Sequence, residues 1–267
     1  MLTKLINGAK QLFRTFTQKD FTKNPNAPVI SEDQKKALAL GLINGEQITA
    51  YTDSLTTGLP KERVAEGLNE AWDVFDGEDA LRTIEFLKKG GHRVAFEAVL
   101  PFINVTDESE RIARLRETLA EQREKIIFSA NDEEDSREKF DRELERLTGF
   151  ANNLIECVAE PGQDPFVPFD EKNIKNGILA WDMGRLVLVA RLCRDAGFID
   201  DKTAWDAIIG AYETAKETFN DWREVAASYL IGRGTWGGYT MMLKGPYTIA
   251  EDAFENDNSP WKRLSFK

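Results

Sequence analysis

The sequence predicts an all-α protein, a multi-helix irregular bundle, and three observations carry that reading. Apolar residues recur three and four apart along most of the chain. No stretch sustains the two-residue alternation of a half-buried strand. Capping residues open the periodic segments and Gly or Pro closes them. At 267 residues the chain can bury a sizeable core.

In chain order, residues 2–17 place Leu2, Leu5, Ile6, Leu12, Phe13 and Phe16 on one helical stripe beside Lys4, Lys10 and Arg14. This segment is expected to dock on the core, with peripheral membrane contact as the alternative for a basic amphipathic helix. A connector with Pro25 and Pro28 follows. Ser31 with Gln34 then forms a capping box for a helix that Asn44-Gly45 is expected to end. Residues 46–57 and 60–75 read as two further short helices, and 80–89 as another, stopped by Gly90-Gly91. His92 comes directly after that stop, where a helix C-terminus favours a protonated imidazole; a structural capping role is expected, with a functional acid or base as the alternative.

Residues 106–145 are highly charged, with a thin stripe of Ile112, Leu115 and Leu119 and an acidic run at Asp132, Glu133, Glu134 and Asp135. A helix is expected over 136–158. Residues 160–169 hold three prolines and a glycine and mark the best internal boundary. That boundary suggests two packed helical lobes: an N-terminal helix and connector over 1–26, a lobe over 27–159 and a second over 160–267. The core of the second lobe is 177–238.

Within that core, 178–193 is apolar on nearly all sides and so reads as a buried helix, yet it carries Asp182, Arg185 and Arg191. A buried charge needs a partner. Asp182 and Arg185, three apart, are expected to pair, and Asp195 is the local option for Arg191. Gly197 should end the helix in the left-handed conformation. Asp200 or Asp201 should start the next helix and Asn220 or Asp221 the one after. In the last of these, Trp222, Tyr229, Arg233 and Trp236 fall on one stripe. Helix core with a stacked arginine is one account of it. The other is a polar binding pocket of Asp182, Arg185, Arg191, Ser228, Tyr229, Arg233 and Trp236.

Composition excludes more than it selects. A net charge of −11 argues against nucleic acid, which requires a basic footprint, and favours a basic protein partner. One histidine and two separated cysteines give no zinc-ligand set and no disulfide framework, so a reducing cytoplasm is expected. An all-carboxylate magnesium or calcium site stays open, without EF-hand spacing. No apolar run is long enough to span a bilayer. Gly232-Arg-Gly-Thr-Trp-Gly237 matches GxGxxG in letters only, because a helix rather than a strand precedes it. No cofactor and no catalytic set are expected.

The residues Ala180-Trp-Asp-Met-Gly-Arg185, Ala190-Arg191, Asp195-Ala-Gly-Phe-Ile199, Asp221-Trp-Arg-Glu224, Ser228-Tyr-Leu-Ile-Gly-Arg233 and Trp236 resemble a bacterial family of unknown function, numbered 1266. The stretch from Trp72 to Gly91-His92-Arg93 resembles the upstream part of its members. The resemblance implies a bacterial, cytoplasmic, helical protein and supplies no activity. A non-catalytic binding protein, toxin-neutralising (immunity) or regulatory, is therefore expected, with the acidic run at 132–135 as a contact. The alternative is an enzyme or small-ligand sensor using the Asp/Arg/Tyr pocket.

Overall fold

The computed structural model describes residues 21–121, 136–159, 171–238 and 241–267. The stripe at 2–17, the acidic run with Asp132, Glu133, Glu134 and Asp135, and the proline-rich 160–169 lie outside the described residues. Within them the fold is all-α, with no strand.

In chain order the helices are α1 (Glu32–Leu40), α2 (Leu42–Gln47), α3 (Lys61–Trp72), α4 (Gly77–Lys89), α5 (Arg93–Val99), a 3-10 turn (Leu100–Phe102), α6 (Glu108–Glu121) and α7 (Ser136–Ala159). They continue as α8 (Glu171–Lys175), α9 (Leu179–Ala196), α10 (Asp201–Thr218), α11 (Trp222–Gly237), α12 (Met241–Glu255) and α13 (Pro260–Arg263). The central helix is α9. It packs against α1, α2, α3, α4, α10 and α11. That explains a sequence apolar all round: nothing of α9 from Ala180 to Val187 faces solvent. Helices from both sides of the 160–169 stretch thus share one core, with Leu38, Leu68 and Leu87 in the same cluster as Leu186 and Tyr229.

Local chemistry fixes the helix starts. Ser31 and Gln34 form the expected capping box. Asp76, Asp200 and Asp221 accept from the first-turn N–H groups of α4, α10 and α11. Gly197 ends α9 at φ 83°, as expected. Helix α9 has no side-chain cap of its own. Ser228, from α11, supplies one: its Oγ accepts from Ala180 N at 3.1 Å.

Two expected helices come out differently. The helix begun at Ser31 breaks at Gly41, and Asn44-Gly45 lies inside α2 instead of ending it. The reason is contact with α9: a Cβ on Gly41 would stand 2.6 Å from Val187 Cγ1, so the chain kinks where it crosses that helix. Residues 46–57 are not a helix either. Helix α2 stops at Gln47, Thr49 adopts φ 57°, and the chain runs irregularly to Pro60. Its carbonyls are satisfied from α9, as described below.

Residues near 261–266 tie distant helices together. Trp261 Nε1 donates to Ala39 O at 2.7 Å, Trp222 Nε1 donates to Leu264 O at 2.9 Å, and the Tyr212 hydroxyl donates to Phe266 O. The Trp222 and Trp261 rings stack at 5.4 Å.

Cys157 and Cys193 are free and buried, and burial pushes each thiol up to about 12. Both should resist an aromatic disulfide reagent in the native protein and react together once urea unfolds it. Rapid stoichiometric labelling without denaturant would contradict their burial. Among the described residues no helix is long and apolar enough to cross a membrane.

Candidate functional site

The polar centre of the molecule is Asp182, one turn into α9 and fully buried. Its carboxylate is held by the chain between α4 and α5. His92 N donates to it at 3.1 Å and Arg93 N at 3.2 Å. Arg185 Nη2 donates to Oδ1 at 2.5 Å, and Arg93 Nη1 stands 3.4 Å from Oδ2. The backbone approach depends on Gly91, at φ 55°: a Cβ there would lie 2.3 Å from Asp182 Oδ2. Burial works against the Asp182 carboxylate, but hydrogen bonding from His92 and the charges of Arg185 and Arg93 hold it below the ordinary carboxylate value.

Arg185 completes the network. Besides Asp182 it donates from Nη2 to His92 Nδ1 at 2.5 Å and from Nε to Trp181 O at 3.2 Å. Its guanidinium lies over the rings of Trp181 at 4.4 Å and Trp72 at 5.5 Å. Arginine has no acceptor, so the shorter contact calls for a lone pair on Nδ1 and the neutral tautomer with its proton on Nε2, although Asp182 Oδ1, 3.6 Å from the same Nδ1, pulls toward protonation. This corrects the expected protonated imidazole. His92 stands just ahead of α5, at a positive helix end, as well as behind α4. Burial depresses its pKa below the ordinary 6.5; Asp182 pulls it upward, and Arg185 and Arg146 push it down.

The linkage sign follows from that depression. Between the folded-state pKa of His92 and 6.5 the unfolded chain binds more protons. The stability contributed by neutral His92 is present above pH 6.5 and is lost as pH falls toward its folded value. Urea unfolding across pH 7.5 to 5.5 should show the loss. His92→Gln, which keeps an acceptor for Arg185, should flatten the slope, and an unchanged slope would count against the assignment.

The other expected site residues separate into three places. Tyr229 is buried beside Trp181, with ring centroids 5.2 Å apart, and its hydroxyl accepts from Gln47 Nε2 at 3.1 Å. Burial pushes the phenol up to about 12. Arg233 also approaches Trp181, its guanidinium 5.9 Å from the ring. Trp236 stands one turn further on, 43% exposed, its ring 4.3 Å from His92 in an edge contact. Asp182, Arg185, Arg233 and Trp236 therefore gather around Trp181 and His92, whereas Ser228 is absorbed in capping α9.

Arg191 belongs elsewhere, and its partner differs from the expected Asp195. It is buried against the irregular stretch before α3, donating from Nη2 to the carbonyls of Tyr51 at 2.6 Å, Ser54 at 2.9 Å and Thr56 at 3.1 Å, and from Nε to Leu55 O at 3.2 Å. Burial lowers its pKa to about 10, against the upward pull of Asp195 and Asp53. Asp195 holds the same stretch by accepting from Thr57 N at 2.7 Å and Thr57 Oγ1 at 2.6 Å.

A family model described as Protein of unknown function (DUF1266) matches residues 67–266. The chain belongs to this family. The DUF1266 match takes in the whole Asp182–Arg185–His92 network, and the stretch that Arg191 clamps lies ahead of it. No curated protein and no solved structure matches the chain. Sequence reasoning gave His92 a capping role. The signal that could have placed it at the network is Gly90-Gly91-His92-Arg93, two glycines before two side chains that can reach a buried acid.

Proposed function

We propose that the protein is a non-catalytic protein-binding module that neutralises or regulates a basic partner, in the manner of immunity or regulatory proteins. One observation carries this reading: four of the groups nominated for a ligand pocket are buried and make their hydrogen bonds inside the fold. Asp182, Arg185, Ser228 and Tyr229 are all buried, each hydrogen-bonded inside the fold. A pocket for catalysis needs polar groups left open toward a substrate. The net charge of −11 supports a basic partner, through steering and complementarity. Two free, buried thiols suit a reducing cytoplasm.

The test is capture of partners on the tagged protein, followed by reconstitution from purified components. A stoichiometric complex with a basic protein, weakening as salt rises, supports the reading. If every captured candidate fails to bind when purified, the proposal is wrong.

A second reading, a small-ligand sensor, is favoured by the edge at His92 and Trp236. With Nδ1 facing Arg185, the Nε2 proton of neutral His92 is available to an acceptor, and exposed Trp236 lies against the same ring. Tryptophan fluorescence titrated with carboxylate and phosphate metabolites would show saturable changes in the wild type that His92→Gln abolishes. A flat response across the set would remove this reading.

A further inference from the structure

The α9–α10 turn and the N-terminus of α4 meet at an open groove of about 440 Å³, lined by Leu81, Phe198, Ile199, Asp200 and Thr203 with Gly77 in its floor. Leu81 is 51% exposed and Phe75, two residues before Gly77, is 61% exposed. A large apolar side chain left in solvent on a concave surface marks an interaction site, and Phe75 adds a second exposed one close by in the chain. The two walls sit at a fixed separation, because a Cβ on Gly77 would lie 2.7 Å from Phe198 O.

Charge around the groove is uneven. Arg82 is engaged by Asp79 and Glu78, Arg194 by Asp195 and Asp201, and Lys202 by Asp206. By contrast, Asp76 takes only helix-start hydrogen bonds, and Asp200 adds to its own only the charge of Lys202, whose ammonium is bonded to Asp206. Lys61, whose Nζ passes 3.3 Å from where a Gly197 Cβ would be, is the rim cation without a carboxylate partner among the described residues. The rim is therefore acidic on balance around an apolar floor.

We propose that this groove is the docking face for a basic amphipathic segment of the partner protein, its apolar side chains meeting Leu81, Phe198 and Ile199 and its cations meeting Asp76 and Asp200. This rests on the protein-binding reading and names the surface and the chemistry it takes. The mode is that of an amphipathic helix seated in a groove, with a few apolar anchors carrying the affinity.

The probe is a synthetic Leu/Lys amphipathic peptide, with a Leu/Glu peptide of the same pattern as control, followed by amide NMR on the full chain. The expected result is saturable shifts centred on residues 75–81 and 197–203 with the Leu/Lys peptide alone. Affinity should fall about tenfold or more in Leu81→Glu, an exposed position where folding is not at stake. Shifts elsewhere, or equal affinity in Leu81→Glu, would overturn the proposal. So would concentration-dependent dimerisation of the free protein that Leu81→Glu abolishes, which would assign the groove to a second copy. A purified basic partner that binds Leu81→Glu as well as the wild type would sink the groove and leave the protein-binding reading standing. Peptide binding at the groove with no protein partner recovered would do the reverse.

Discussion

Replacing Asp182 by alanine will lower the unfolding free energy by about 3–5 kcal/mol, the cost of removing one member of a buried ion pair. The carboxylate faces the N–H groups of His92 and Arg93 and the guanidinium of Arg185, all inside the core. Without it those donors are orphaned and Arg185 is a buried cation held only by His92, Trp181 O and two indole faces. Urea unfolding would measure the change. Gly91→Ala should approach it from the other side, since its Cβ would collide with the intact carboxylate. If Asp182→Ala loses less than about 1 kcal/mol, the network is not structural, and the sensor reading built on His92 gains.

Arg191→Met will destabilise by a comparable amount, about 3–5 kcal/mol, although it removes no ion pair. The methionine keeps the apolar stem but leaves the carbonyls of Tyr51, Ser54, Leu55 and Thr56 without their common donor. Each buried orphan costs about 1–3 kcal/mol before relaxation toward water. The damage should also be local. Limited proteolysis should cut between 48 and 60 in the variant while the rest of the chain stays protected. Cleavage spread over the whole molecule at equal rates would contradict a local clamp.

The difference between those two arginines shows how far the sequence could be read. The pairing of Asp182 with Arg185 was legible because both partners sit on one helix three residues apart, a spacing that fixes proximity before any tertiary structure exists. The partners of Arg191 were not legible. They are backbone carbonyls more than a hundred residues earlier, and a carbonyl carries no side-chain signature. The same limitation hid the role of Ser228, which caps a helix other than its own. Helix caps at Ser31, Asp76, Asp200 and Asp221 were readable or nearly so, because capping is written in neighbouring residues. The break at Gly41 was not, because its cause is Val187. His92 was misread for a related reason. Its ionisation is set first by burial and then by Asp182 and Arg185, ninety or more positions away, and not by the helix that precedes it.

The contact of Trp261 with Ala39 joins residues 222 positions apart, and Phe266 closes over Tyr212 in the same region. On the ribosome, α1 and α10 emerge long before these covering side chains do. The core must therefore wait, partly open, until residues 261–266 leave the exit tunnel, with the apolar face of α1 exposed meanwhile. Nascent chains stalled before that point should engage chaperones, and emergence of residues 261–266 should be the event that ends the engagement.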